Sequence, residues 1–126
     1  MKVKIEPDIS VVTKTQGKEA LEKELGRIVA TLIEKYQPQK IILFGSLVTG
    51  RMHEWSDIDL LVIKQTRTRR FYRRAQALRG IKRSVPMDII ILTPDEVKFL
   101  SDEGSLFIKD ILDKGSVLYE KEKSMV

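Results

Sequence analysis

Lys40-Ile41-Ile42-Leu43-Phe44-Gly45-Ser46 and, ten residues later, Asp57-Ile58-Asp59-Leu60-Leu61-Val62-Ile63 decide the fold of this chain. The first run is short, continuously apolar and rich in β-branched residues, the pattern of a strand buried on both faces. Gly45-Ser46 breaks it. The second run opens with two acids and closes on four apolar residues, predicting another strand over 57–63.

Outward from this pair, helices and strands alternate. Upstream, Leu21, Leu25, Ile28, Val29, Leu32, Ile33 and Tyr36 recur every three or four residues, predicting an amphipathic helix over 18–36 that Pro38 ends. Residues 47–55 read as a loop or short helix. Residues 69–79 read as a helix with Phe71, Ala75 and Leu78 on its inner side, stopped by Gly80. Met87–Leu92 is a third apolar strand. Thr93-Pro94-Asp95-Glu96 has the residues of a capping box, with proline at the first helical position, so a helix runs on to about Leu100. A further helix carries Leu106, Ile108, Ile111 and Leu112, ends at Gly115, and precedes a short strand at Val117–Tyr119. The expected architecture is an α/β (α+β) domain of two layers over residues 18–126. Residues 1–17, with Pro7 and a short strand expected at Val3–Ile5, read as an N-terminal arm.

At 126 residues, 42% apolar and 33% charged, the chain is one domain with enough apolar material for a core. It has no cysteine, which excludes disulfides, thiolate metal sites and cysteine nucleophiles and fits a reducing cytoplasm. No signal-like segment and no apolar run of roughly 20 residues is present, so a cytoplasmic protein without a membrane partner is expected. The net charge of +5 is local. Eight basic residues and no acid fall between Arg67 and Arg83, leaving 15 basic against 18 acidic residues elsewhere.

Asp57 and Asp59 stand two apart in a strand, so their side chains share one side. Neighbouring carboxylates repel unless a cation lies between them, and hard oxygens suit Mg²⁺ or Mn²⁺. Taken alone, the pair also describes an ordinary solvated strand end. Gly45 lets a backbone turn approach a phosphate, and Ser46 adds a hydroxyl; alone, Gly-Ser is also a plain turn. Asp88 sits among Met87, Ile89, Ile90 and Ile91, where an acid is costly to bury unless it is paired or binds a cation. It is expected to face the site of Asp57 and Asp59; the alternative is an ion pair with the basic helix. Together these groups supply the parts for phosphoryl-type transfer assisted by two metal ions. Arg51 suits a phosphate or an ordinary surface loop. His53 reads as a loop residue without chemistry and Trp55 as a loop anchor. The basic segment reads as a solvated helix face, a dock for an acidic protein or the triphosphate tail, or an RNA surface; Phe71 reads as core by its helical spacing.

Gly45-Ser46, ten residues, then Asp57-Ile58-Asp59-Leu60 resembles the signature of the DNA polymerase β-like nucleotidyltransferase superfamily, especially its minimal nucleotidyltransferases. Gly50 and Ser56 also match, Val48 replaces the usual alanine, and Met87-Asp88-Ile89-Ile90 resembles the strand carrying the third carboxylate. The resemblance covers roughly residues 18–120. It implies a mixed, twisted sheet with helices packed on it. It also implies transfer of a nucleoside monophosphate, such as AMP from ATP or another NTP, to a hydroxyl, with release of pyrophosphate. By the same resemblance Asp57 and Asp59 bind both metals, and Asp88 binds the catalytic metal and helps deprotonate the acceptor. Gly45 and Ser46 hold phosphates, with Ser56 and Arg51 beside the nucleotide. Small members resemble antitoxins that transfer AMP to a tyrosine of a HEPN-type ribonuclease partner. The rival expectations are a non-catalytic binding module and an RNA-binding accessory.

Overall fold

In the computed structural model, residues 18–45, 48, 58–82 and 85–122 are described, with backbone alone for Lys18 and Glu19. Helix α1 (Lys18–Thr31) runs into a five-residue π-helical turn, Leu32–Tyr36. Leu21, Leu25, Ile28, Val29 and Leu32 are buried along it, as the periodicity requires. The widened last turn closes when the N–H of Gln37, at φ 54°, donates to the Leu32 carbonyl (3.0 Å). Pro38 disfavours a right-handed helical residue before it, so the helix ends there.

Strands β1 (Lys40–Phe44), β2 (Ile58–Ile63), β3 (Met87–Leu92) and β4 (Ser116–Glu120) form one mixed sheet in the order β3-β2-β1-β4. β1 is antiparallel to β2 and β4, while β2 is parallel to β3. Side chains alternate between two covered faces. On one, Ile41, Leu43, Leu60, Val62, Ile89 and Ile91 pack with α1 and with Ala77 and Leu78 of helix α2 (Arg70–Leu78). On the other, Ile42, Leu61, Ile63 and Leu92 meet Ile108 and Ile111 of helix α4 (Leu106–Lys114) and Val97 and Leu100 of helix α3 (Pro94–Asp102). Helices on both faces make three layers where two were expected, and double coverage is why the strands read as unbroken apolar runs. It also pins the register. A one-residue slip of β2 would exchange Leu60 with Asp59 and drive a carboxylate into the core.

The capping box at Thr93 is complete. The Glu96 N–H donates to Thr93 Oγ1 (3.1 Å), and the Thr93 N–H donates to Glu96 Oε1 (2.8 Å). Ser105 caps α4 by accepting from the Ile108 N–H (3.2 Å). Only part of the apolar stripe expected on α4 turns inward: Ile108 and Ile111 are buried, whereas Leu106 and Leu112 are exposed. Gly115 follows because a Cβ there would collide with the Ile111 carbonyl and the Ile42 side chain.

Helix α2 departs from expectation. Its inner side is Arg73, Ala77 and Leu78, not Phe71, Ala75 and Leu78. Phe71 is 86% exposed, so its assignment to the core is wrong. The reason is chemical. The Arg73 guanidinium donates to Glu96 Oε1 (2.6 Å) and Oε2 (3.2 Å), to the Ile91 carbonyl (3.2 Å) and, through Nε, to the Thr68 carbonyl (2.8 Å). A guanidinium with four acceptors is buried at lower cost than a lone charge, and its stem packs like a hydrocarbon. This bonding sets the helix phase and turns Phe71 outward. The expected arm, the strand at 3–5 and the loop or helix at 47–55 fall on residues outside the described set, Val48 excepted.

Candidate active site

β1 ends at Phe44, and Gly45 turns the chain with φ 81°, a conformation that favours glycine. The Val48 N–H donates to the Gly45 carbonyl (3.1 Å), closing the turn, and Val48 packs against the core. Phe44 is the register partner of Asp59 on the adjacent strand. The Asp59 carboxylate lies over Gly45 so closely that a Cβ there would collide with Oδ2 and stand 3.1 Å from Cγ. Glycine is therefore required twice, by the backbone angle and by the carboxylate above it.

On the other side of β2, Asp59 is the register partner of Asp88. Partners on parallel strands project to the same face, here the face of Leu61, Ile63 and Leu92. Gly45, Asp59 and Asp88 thus meet at one end of the sheet, where β1 finishes and β2 and β3 begin. Asp59 is half-buried and Asp88 exposed. Asp88 escapes the cost of burial, because its apolar neighbours face the opposite side or lie further along the strand. The alternative of an ion pair between Asp88 and the basic helix is not seen among the described residues. There Arg70 and Arg73 pair with Glu96, and Arg74 donates to the Met87 carbonyl (3.2 Å).

A cleft of about 250 Å³ opens at Gly45, lined also by Phe44, Val48, Phe107, Ile111, Lys114 and Gly115. Phe44 and Phe107 form an edge-to-face pair with centroids 5.8 Å apart. Lys114 and Asp110 are paired at 3.1 Å at the cleft's exposed rim. Phe107, Asp110 and Lys114 carry no sequence signal that marks them for this site. β4 pairs with β1 so that Ser116 lies opposite Leu43, which carries the preceding Gly115 and Lys114 to the Gly45 turn. That long-range pairing leaves no local signal.

Asp57, Ser46, Ser56, Arg51, His53 and Trp55 lie outside the described residues. Among the described residues no three acids or histidines gather as a metal cage. Asp59, for whose carboxylate the glycine turn leaves space, and Asp88 nevertheless supply two hard-oxygen donors on adjacent strands, and such a donor set fits Mg²⁺ or Mn²⁺. Two like charges on neighbouring strands also favour a cation between them. Among the described residues no helix is long and apolar enough to cross a membrane.

No curated protein matches the chain. The model of the polymerase β nucleotidyltransferase family matches residues 26–124, a span that holds Gly45, Asp59, Asp88 and all four strands. The mixed sheet, the glycine turn at the end of β1 and the matched span together place this chain in the polymerase β nucleotidyltransferase family.

Proposed function

We propose that the chain is a divalent-metal-dependent nucleotidyltransferase that moves AMP from ATP onto a side-chain hydroxyl of a partner protein, a HEPN-type ribonuclease, and thereby acts as its antitoxin. The observation that carries the catalytic part is the Asp59–Asp88 register pair beside Gly45. A turn that only glycine fits and two hard-oxygen donors on adjacent strands coincide there. In this reading Asp57, Asp59 and Asp88 hold the metal ions. When bound, the ions supply charge stabilisation at the α-phosphate and at the departing pyrophosphate. The residues do the positioning. The turn at Gly45, with Ser46, Ser56 and Arg51, holds the phosphates. Asp88, exposed at the edge strand, accepts the proton of the attacking hydroxyl. Asp59, packed on the turn, fixes the distance between the phosphates and the acceptor.

A protein acceptor is favoured by the apolar surface near the cleft. Phe107 lines the cleft yet is 54% exposed, and Leu106 beside it is 82% exposed. Exposed apolar groups next to a site suit a protein surface. The test is incubation of the chain with α-labelled ATP, Mg²⁺ and the HEPN-type protein encoded beside it. Label should move to that protein and be lost with Asp57→Asn or Asp88→Asn. Tight association without label transfer would replace this reading with the non-catalytic binding module.

A further inference from the structure

The outward side of α2 joins two exposed rings to a run of cations. Phe71 is 86% and Tyr72 59% exposed, and their rings meet edge to face with centroids 5.1 Å apart. Such rings normally go inside. Here Arg73, Ala77 and Leu78 fill the inner side, so the rings stand in water. Arg67, Arg69, Arg70, Arg74, Arg79 and Lys82 are exposed around them. Glu96 neutralises Arg73 and reaches Arg70 at 3.8 Å. Among the described residues the other five make no ion pair, and no acid occurs between positions 67 and 83. Arg74 is steadied by its bond to the Met87 carbonyl, and Arg69 directly precedes the helix.

The occupant must answer both features: cations without counter-ions, and two adjacent ring faces. A single-stranded nucleic acid has an anion at each residue and a flat base between anions, and such strands are bound by basic grooves with stacking aromatics. An acidic protein would answer the charges but is commonly anchored by a broader apolar patch, and Ala75 and Gln76 offer none beside the rings. We propose that the outer surface of α2 binds single-stranded nucleic acid, with bases stacking on Phe71 and Tyr72 and phosphates held by Arg69, Arg74 and their basic neighbours. This does not rest on the nucleotidyltransferase reading, since none of these residues belongs to the Gly45–Asp59–Asp88 site.

Fluorescence anisotropy of a labelled ten-nucleotide oligo(U) with the full chain tests it. Binding should weaken with salt, the logarithmic slope being about −0.7 per phosphate contacted. Phe71→Ala with Tyr72→Ala should weaken binding at least tenfold and leave the slope unchanged. Arg69→Gln with Arg74→Gln should make the slope shallower by about 1.4, two phosphate contacts at that rate. All four side chains are exposed, so thermal unfolding should report an intact fold for both variants. The proposal is overturned by absence of binding at low salt. It is also overturned if the ring variant binds oligo(U) as tightly as the parent. Poly-glutamate binding as tight as oligo(U) would assign the surface to an acidic protein, against the proposal.

Discussion

The α2–α3 junction and the end of the sheet both bring charged side chains together, and they do so in opposite ways. At the α2–α3 junction, buried Arg73 meets its opposite charge, Glu96, and its bonds fasten α2 to α3, to β3 and to the loop before it. At the end of the sheet, Asp59 and Asp88 set like charges side by side on adjacent strands over a glycine turn. The first arrangement builds structure. The second sets two hard-oxygen donors on one face, where a cation can be held. Removing a carboxylate should therefore cost stability at one place and activity at the other.

The largest expected effect is at the sheet end. Asp88→Asn should lower nucleotidyl transfer by roughly 10²–10³-fold, the loss typical of one stabilising group aimed at a developing charge. Because Asp88 is exposed, its melting temperature should stay within a degree or two of the parent. Single-turnover transfer from labelled ATP and a melting curve on the same sample decide it; a large fall in stability with little loss of activity would reverse the contrast.

The next effect belongs to the junction. Glu96→Ala removes the carboxylate partner of a buried guanidinium and half of the capping box, at a cost of about 3 kcal/mol. Denaturant unfolding measures it. The bond from Arg73 in particular, with the Thr93 N–H and the nearby Arg70, holds the Glu96 carboxyl below its ordinary range, against an opposing push from burial. A depressed acid stabilises the fold above its unfolded pKa of 4.5, and that stability drains away as pH falls through the folded value. Glu96→Gln should show a smaller loss of melting temperature between pH 5 and lower pH than the parent, so the two pH profiles converge in acid.

Gly45→Ala tests whether the sheet end tolerates ordinary geometry. The added methyl meets the Asp59 carboxylate at a φ of 81°, so the variant should lose about 1–2 kcal/mol, and transfer should fall with it. Normal activity in this variant would mean that the carboxylate need not lie against the turn.

Much of this contrast can be read from the sequence, and the unread parts have definite causes. β1 at 40–44, β3 at 87–92 and the Thr93 capping box match their predicted bounds, because each is written in adjacent residues. Gly45 and the Asp59 strand were legible from spacing. The register of Asp59 with Asp88 was only an expectation, since a parallel pairing of residues 29 apart is fixed by the packing of both sheet faces. The phase of α2 was misread because residue type alone favours Phe71 over Arg73 for the interior. The acceptors that reverse this choice come from Thr68, Ile91 and Glu96, none in the same helix. Phe107 and Lys114 of the cleft went unseen because only the β1–β4 pairing brings them to Gly45.

Tyr36 gives the smallest effect and the finest test of the junction. Its hydroxyl is buried without a hydrogen-bond partner among the described residues. Burial pushes its pKa up, and the nearby Arg73 charge partly offsets the rise. A hydroxyl stripped of water and given no bond is a net cost, so Tyr36→Phe should be neutral or stabilise by up to about 1 kcal/mol. The sign at high pH follows. A group whose pKa rises on folding supplies stability below its unfolded value of 10.0 and loses it above. The parent should therefore lose more stability than Tyr36→Phe as pH climbs past 10. If instead the variant is destabilised by more than 1 kcal/mol at neutral pH, the hydroxyl has a partner. The Arg73 network would then extend from α2, α3 and β3 to the π-turn after α1, binding four elements where three are now seen.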